Sequence, residues 1–196
     1  MSEGTISAIL LAAGESRRMG SPKPLLEWQD ATLIEYQIAQ LREAGVDDVI
    51  AVLGHRSQDV LPLVTAAGAR GIVNKIYREG RASSLRAGAV AAEGAETVVV
   101  LSVDQPRPAA VTRRLLADHT SGITVPSHGG RRGHPVILDG SLLSELREVD
   151  EATQGLRAVL ARHATEVREV PFDSAAVLLD LNTPEDYQRA TARNDP

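Results

Sequence analysis

A short apolar run, Ile6, Ile9, Leu10 and Leu11, passes directly into Ala12, Ala13 and Gly14, and two cations, Arg18 and Lys23, follow close behind. This junction constrains the fold, because a buried strand that ends in small residues leaves its backbone N–H groups bare enough for an anion to approach them. Arg18 offers a planar fork matched to phosphate oxygens, and Lys23 a mobile point charge. Leu11, Ala12, Ala13, Gly14, Arg18 and Lys23 therefore read as a polyphosphate-binding loop.

Two common phosphate loops are excluded by spacing. A Walker A loop needs Gly-Lys followed by Ser or Thr, whereas Gly20 is followed by Ser21, Pro22 and Lys23. A dinucleotide fingerprint needs G-x-G-x-x-G, and no glycine stands between Gly14 and Gly20. Composition narrows the partners. A net charge of −5 and 3% aromatic residues argue against a nucleic-acid binder. The absence of cysteine removes disulfides and thiolate metal sites. No apolar run reaches the roughly twenty residues of a membrane span, and no secretory leader is legible at MSEGTIS, so a soluble, cytoplasmic protein without membrane contact is expected.

Strand-length apolar runs at Ile6 to Ala12, Val49 to Leu53, Val98 to Val103, Ile123 to Val125, Val136 to Leu138 and Val177 to Leu181 alternate with helical stretches. These are Thr32 to Ala44, Ser83 to Ala92, Ala109 to Asp118, Ser141 to Arg147 and Gln154 to Arg162. With 196 residues, 43% of them hydrophobic, the chain can bury one substantial core. The expectation is a single α/β domain over 1–196, a Rossmann-like, mostly parallel sheet with helices on both faces, with 1–5 and 192–196 as flexible ends. Ligands of such sheets bind beyond the carboxyl ends of the strands, where Gly14, Gly54 and Asp104 converge.

Asp104 closes the run TVVVLSVD, so its carboxylate faces the ligand edge. Mg²⁺ is its natural partner, because that ion takes oxygen ligands and bridges one or two carboxylates to substrate phosphates. In LLDLNTPED, Asp180 and Asn182 share a face if the run is a strand, and either could complete the metal shell. Thr183 or Asn182 then caps a helix starting near Pro184, with Glu185 and Asp186 in its first turn. Further along, Gly80 breaks an extended stretch and Ser83 can cap a helix carrying Ser84, which turns a positive helix end toward a polar ligand. In RRGHP, the turn residues Gly133 and Pro135 place Arg131, Arg132 and His134 where an anionic acceptor could meet them.

The pattern L-A-A-G-x-S-x-R-M-G-x-x-K over Leu11 to Lys23 resembles the signature of the MobA/MocA-like nucleotidyltransferases, the enzymes that attach a nucleotide to the molybdenum cofactor. The later motifs are similar to that family's in the same order, up to Asp186. V-D-Q-P at Val103 to Pro106 resembles its metal-binding D-Q-P, and Asn74 to Gly88 its segment against base and ribose, here through Gly80, Ser83 and Ser84. G-H-P resembles the motif bordering the acceptor pocket, and N-T-P-E-D the one supplying a second metal ligand. The resemblance implies a nucleotide-diphospho-sugar-transferase-like fold, Mg²⁺ on Asp104 with Asp180 or Asn182, and acceptor contacts from Gln105, His134, Arg131 and Arg132. It also implies a nucleoside triphosphate and a phosphorylated acceptor as substrates, with a molybdoenzyme or cofactor chaperone as a further partner. Lys75 and Tyr77 replace the usual proline and tryptophan, and Glu151 to Arg157 lacks the family's Gly-Asp.

The chemistry so implied is attack of an acceptor phosphate on the α-phosphorus of a nucleoside triphosphate, with Lys23 on the attacked group and Arg18 on the departing pyrophosphate. CTP is expected over GTP, because guanylyl enzymes of the family typically read L-A-G-G with one more residue before the lysine, and Ala13 adds a methyl beside the base. A GTP-dependent guanylyltransferase, a non-catalytic nucleotide-binding protein and an NAD(P)H-using reductase on the same scaffold remain as alternatives.

Overall fold

The computed structural model describes residues 5–152 and 155–194. Strand β1 (Ile6–Ala12) leads through the hairpin β2 (Glu27–Trp28) and β3 (Ala31–Thr32) to helix α1 (Leu33–Glu43). There follow β4 (Asp48–Leu53), α2 (Ser57–Ala66), β5 (Arg70–Val73), α3 (Arg81–Ala91), β6 (Thr97–Ser102) and α4 (Ala109–Asp118). The second half holds β7 (Ile123–His128), β8 (Arg131–Arg132), β9 (Val136–Asp139), α5 (Leu143–Arg147), α6 (Leu156–Arg162), β10 (Val167–Pro171) and α7 (Pro184–Asn194).

The main sheet runs β10-β7-β9-β6-β1-β4-β5, with β8 paired to β7. Strands β6, β1, β4 and β5 are parallel, as is the pair β10 and β7, whereas β9 is antiparallel to both its neighbours. Alternation along β1 divides the core. Ala8, Leu10 and Ala12 pack against Ile34, Ile38 and Leu41 of α1 and Leu115 of α4, while Ile9 and Leu11 pack against Leu85 and Ala89 of α3 and Val159 of α6. Helices thus cover both faces, as the α/β order implies.

The first helix begins as its sequence prescribes: Thr32 and Glu35 form a reciprocal capping box, and Gly45 (φ +97°) follows its end. Besides the two-residue strands β2, β3 and β8, three elements escape the sequence reading. β5 and β10 are the sheet's two edges and carry Arg70, Arg168 and Glu169 instead of an apolar run, and α2 holds Pro62 within it. One expected strand is absent. Ala175–Leu178 is a 3-10 turn, closed by the Ser174 hydroxyl accepting from the Ala176 N–H, and its apolar run is buried because Val177 and Leu181 plug the core, not because they pair in the sheet. Of the ends expected to be flexible, 192–194 continue α7 and the Thr5 carbonyl accepts from the Glu96 N–H at 3.0 Å, and residues 1–4 and 195–196 lie outside the described residues. Among the described residues no helix is long and apolar enough to cross a membrane.

Candidate active site

The carboxyl ends of β1 and β6 and the loop after β1 enclose a cleft of about 400 Å³. Of the residues singled out in the sequence, Leu11, Ala12, Ala13, Gly14, Arg18, Lys23, Gly80, Ser84, Asp104 and Asn182 line it, together with Tyr77, Arg81 and Ser102. Gly14 carries no neighbour where a Cβ would stand, so its backbone is open to the cleft. Gly54 serves differently. A Cβ there would lie 2.6 Å from Cγ of Tyr77 and 2.7 Å from the Ala13 carbonyl oxygen, so its bareness lets the loop and Tyr77 close over the end of β4. The His55 N–H donates to that same carbonyl at 3.0 Å.

The loop is aimed by its own bonds. The Lys23 N–H donates to the Ser16 hydroxyl at 3.0 Å, and a 3-10 turn over Lys23–Leu25 sends the lysine inward. Its ammonium lies 2.6 Å from Asp104 Oδ2 and 3.1 Å from Asn182 Oδ1, with only 12% of the side chain exposed. Asn182 reaches this point because the Leu181 N–H is tied to the Asp104 carbonyl at 2.8 Å and because Thr183 caps α7. The Asp186 carboxylate accepts from the Asn182 and Thr183 N–H groups and is held below the usual carboxylate range, first by the Thr183 hydroxyl. Asp186 is thus a cap, as its place in the sequence suggests.

Asp180 and Asn182, equivalent in the sequence, part company in the structure. Without a strand they do not share a face: Asn182 joins Lys23 and Asp104, whereas Asp180 Oδ1 accepts from Gln105 Nε2 at 2.8 Å in a neighbouring chamber. Asp104 and Asn182 present two hard oxygen donors converging on one point, a set that fits Mg²⁺ completing its shell with water and phosphate oxygens. Among the described residues no group of three or more His, Asp or Glu side chains could hold a metal by itself.

Ser83 is corrected likewise. The helix starts at Arg81 with Gly80 (φ +117°) before it, and Ser83 sits in its first turn, buried. Its hydroxyl donates to the Gly80 carbonyl at 2.8 Å and accepts from Asn74 Nδ2 at 2.9 Å, so it braces the turn and leaves the cleft to Ser84. Asn74 bridges both serines.

The neighbouring chamber, about 610 Å³, has an apolar floor that includes Val100, Val125, Val136 and Leu160, and a polar rim of Gln105, His134, Asp180, Arg132, Glu151 and Arg157. Of the residues expected to contact an acceptor, Gln105, His134 and Arg132 line this chamber. Arg131 does not; it sits exposed on the short strand β8, and Arg132 is itself paired with Glu169 at 2.7 Å. Glu151 accepts from the Ala82 N–H at 3.0 Å, so the segment that departs from the family pattern forms part of the chamber wall. Its positions 153 and 154 lie outside the described residues.

His134 precedes a cis proline and faces Gln105, whose Nε2 donates to its Nδ1 at 3.0 Å, which puts the ring proton on Nε2. Burial lowers its pKa to about 4, helped by the Arg107 and Arg81 guanidinium groups. Arg107 itself escaped the sequence reading. It is 1% exposed, its pKa is lowered by burial to about 10 against the pull of Asp180 and Asp104, and among the described residues it forms no salt bridge. Its guanidinium instead donates to the carbonyls of Pro106, His134, Val177 and Leu179 at 2.9–3.0 Å, and so clamps together the two segments that carry His134 and Asp180. Gln37, the buried polar residue of α1, supports the same turn through the Gln105 carbonyl at 2.7 Å. A glutamine on an otherwise apolar helix face was its only visible signal.

The family described as the MobA-like NTP transferase domain matches residues 8–167. The chain is 30% identical to nicotine blue oxidoreductase of Paenarthrobacter nicotinovorans, over 94% of this chain and 95% of that protein. It is 27% identical to the molybdenum cofactor cytidylyltransferase of Escherichia coli (96% of both chains) and 30% identical to the molybdenum cofactor guanylyltransferase of Xanthomonas euvesicatoria (96% and 95%). A solved nucleotidyl transferase from Methanothermobacter thermautotroptrophicus superimposes with a TM-score of 0.83 at 25% identity, covering 97% of this chain and 99% of that one.

Proposed function

The chain belongs to the MobA-like NTP transferase family, and from that premise we propose that it moves a nucleoside monophosphate from a triphosphate, CTP by preference, to a phosphorylated acceptor of molybdopterin type, releasing pyrophosphate. The observation that carries this reading is the meeting of Lys23, Asp104 and Asn182 at the base of a glycine-lined cleft, beside a separate chamber that can seat a second substrate. Asp104 and Asn182 are the residues that would hold Mg²⁺, which supplies neutralisation of the phosphoryl oxygens.

The remaining steps belong to the chain. Backbone N–H groups around Gly14 and the Arg18 fork bind the phosphate tail, and Lys23 stands at the phosphorus under attack. A phosphate nucleophile is already anionic near neutral pH, so no general base is needed, and positioning carries the rate. Gln105, neutral His134 and Asp180 form a hydrogen-bonding edge that orients the acceptor over the apolar floor. The methyl of Ala13 supports CTP over GTP, a discrimination of about 1 to 3 kcal/mol for a shape difference of that size. Pyrophosphate release with Mg²⁺, screened over CTP and GTP against pterin phosphates, sugar phosphates and phospholactate, tests the assignment; competition calorimetry showing tighter GTP binding would sink the cytidylyl preference.

A second reading rests on the oxidoreductase relative, which matches nearly the whole chain. In it the loop binds the pyrophosphate of a nicotinamide nucleotide and the chamber a reducible heterocycle. Oxidation of NADH or NADPH without pyrophosphate release would select it. The Lys23–Asp104–Asn182 cluster favours transfer, because hydride transfer makes no use of paired hard oxygen donors.

A further inference from the structure

Arg81, the first residue of α3, lines both cavities, and among the described residues Leu11 is the only other that does. The charge at the junction is therefore that of Arg81. Its guanidinium donates to the hydroxyl of Ser102 at the end of β6, two residues before Asp104, so it is tethered to the strand that carries the site. That partner is neutral. Arg81 is otherwise exposed, so most of its five donors are left for a ligand. Of the other cations that line the two cavities, Lys23 is committed to Asp104 and Asn182, Arg132 to Glu169 and Arg17 to Glu15, while Arg18 lines only the glycine-loop cleft and Arg157 only the chamber, neither of them at the junction.

We propose that Arg81 is a catalytic residue of the transfer, gripping at the junction both the α-phosphate of the nucleotide and the acceptor phosphate that attacks it. This rests on the nucleotidyl-transfer reading above. An acceptor oxygen forms its bond to the α-phosphorus as the bond to the bridging oxygen of the β-phosphate breaks, and the electron pair leaves with pyrophosphate. Both reacting groups are anions, and a fork with several donors holds them together without moving a proton.

The test uses R81Q, R81K and, for the tether, S102A in the full chain. Inorganic phosphate, the minimal acceptor, is titrated calorimetrically into protein saturated with a non-hydrolysable CTP analogue and Mg²⁺. R81Q is expected to weaken phosphate binding at least about tenfold, with R81K intermediate, while CTP affinity, carried mainly by the glycine loop and Arg18, falls by only about threefold. With an acceptor that supports pyrophosphate release, R81Q is expected to lower the rate at saturating nucleotide about a hundredfold and S102A about tenfold, with melting curves unchanged. Phosphate binding unaffected by R81Q, or a loss of CTP affinity matching that of R18A, overturns the assignment. A wild type that binds phosphate through Arg81 yet releases no pyrophosphate with any acceptor overturns the transfer reading and upholds Arg81 as the anion-binding group of the junction.

Discussion

Gln105 donates a side-chain N–H to Nδ1 of His134 at 3.0 Å, and this bond, in a buried setting, fixes both the tautomer and the charge of the imidazole. Its Oε1 accepts from the Ser102 N–H at 3.0 Å, so the amide cannot turn over without losing a bond to the strand end. A neutral histidine in this chamber can donate from Nε2, and it adds no charge beside Asp180.

That geometry gives a pH prediction. The folded-state pKa of His134 is lowered to about 4, chiefly by burial, so between there and the ordinary 6.5 the unfolded chain binds the proton that the folded chain refuses. The contribution is fully present above about pH 6.5 and is lost as pH falls through about 4, an effect of at most about 3 kcal/mol. Urea unfolding of wild type and His134→Gln across pH 4 to 7 is the check, run as a difference so that other histidines cancel. Parallel stability curves for the two proteins would show that His134 does not titrate in this way.

The metal arm is tested by contrast between two carboxyl residues. Asp104→Asn removes charge at the point shared with Lys23 and keeps the volume, so turnover with Mg²⁺ is expected to fall by about a hundredfold or more while metal-free nucleotide binding changes little. Glu185→Gln, in the first turn of α7, is expected to leave turnover unchanged. Equal losses in both variants would remove the distinction drawn between the cleft and the helix end.

Gly54 links the scaffold to the loop. Gly54→Ala sets a methyl against the Ala13 carbonyl and the Tyr77 ring at 2.7 and 2.6 Å, one of them backbone that cannot swing aside. Overpacking of this kind costs about 1 to 3 kcal/mol, and the strain falls on the phosphate loop. CTP affinity is therefore expected to drop more than the melting temperature. A Gly54→Ala variant that melts lower but binds CTP normally would place the strain elsewhere.

How much of this was legible in the sequence follows from how local each signal is. The loop from Leu11 to Lys23 and the D-Q-P turn come together at one sheet edge, as expected, because contiguous residue types specify them and buried parallel strands deliver them there. The split between Asp180 and Asn182 could not be read, because alternation assumes a strand, and the segment before them coils into a 3-10 turn whose carbonyls are claimed by Arg107. Arg107 in turn looks like any surface cation following a proline. Its burial depends on loops some thirty to seventy residues away, at His134, Val177 and Leu179. Edge strands β5 and β10 failed for the opposite reason: half-exposed, they carry no apolar run to detect.

The two cations of the opening loop are expected to separate by role. Arg18 lines the cleft with no bond to Asp104 or Asn182, so Arg18→Ala should weaken triphosphate binding and leave monophosphate binding little changed. Lys23 is held at 2.6 Å from Asp104, the point at which the proposed transfer develops charge. Lys23→Ala should depress the rate even when nucleotide saturates, by about 2 to 4 kcal/mol if it acts as other electrostatic stabilisers do. The same change leaves Asp104 and Asn182 without their cation, so metal-free melting should fall as well; the rate comparison is therefore made at saturating Mg²⁺ and by single turnover, which isolates the chemical step. If Lys23→Ala keeps the wild-type rate while Arg18→Ala loses mono- and triphosphate alike, the nucleotide lies in the loop in the reverse direction.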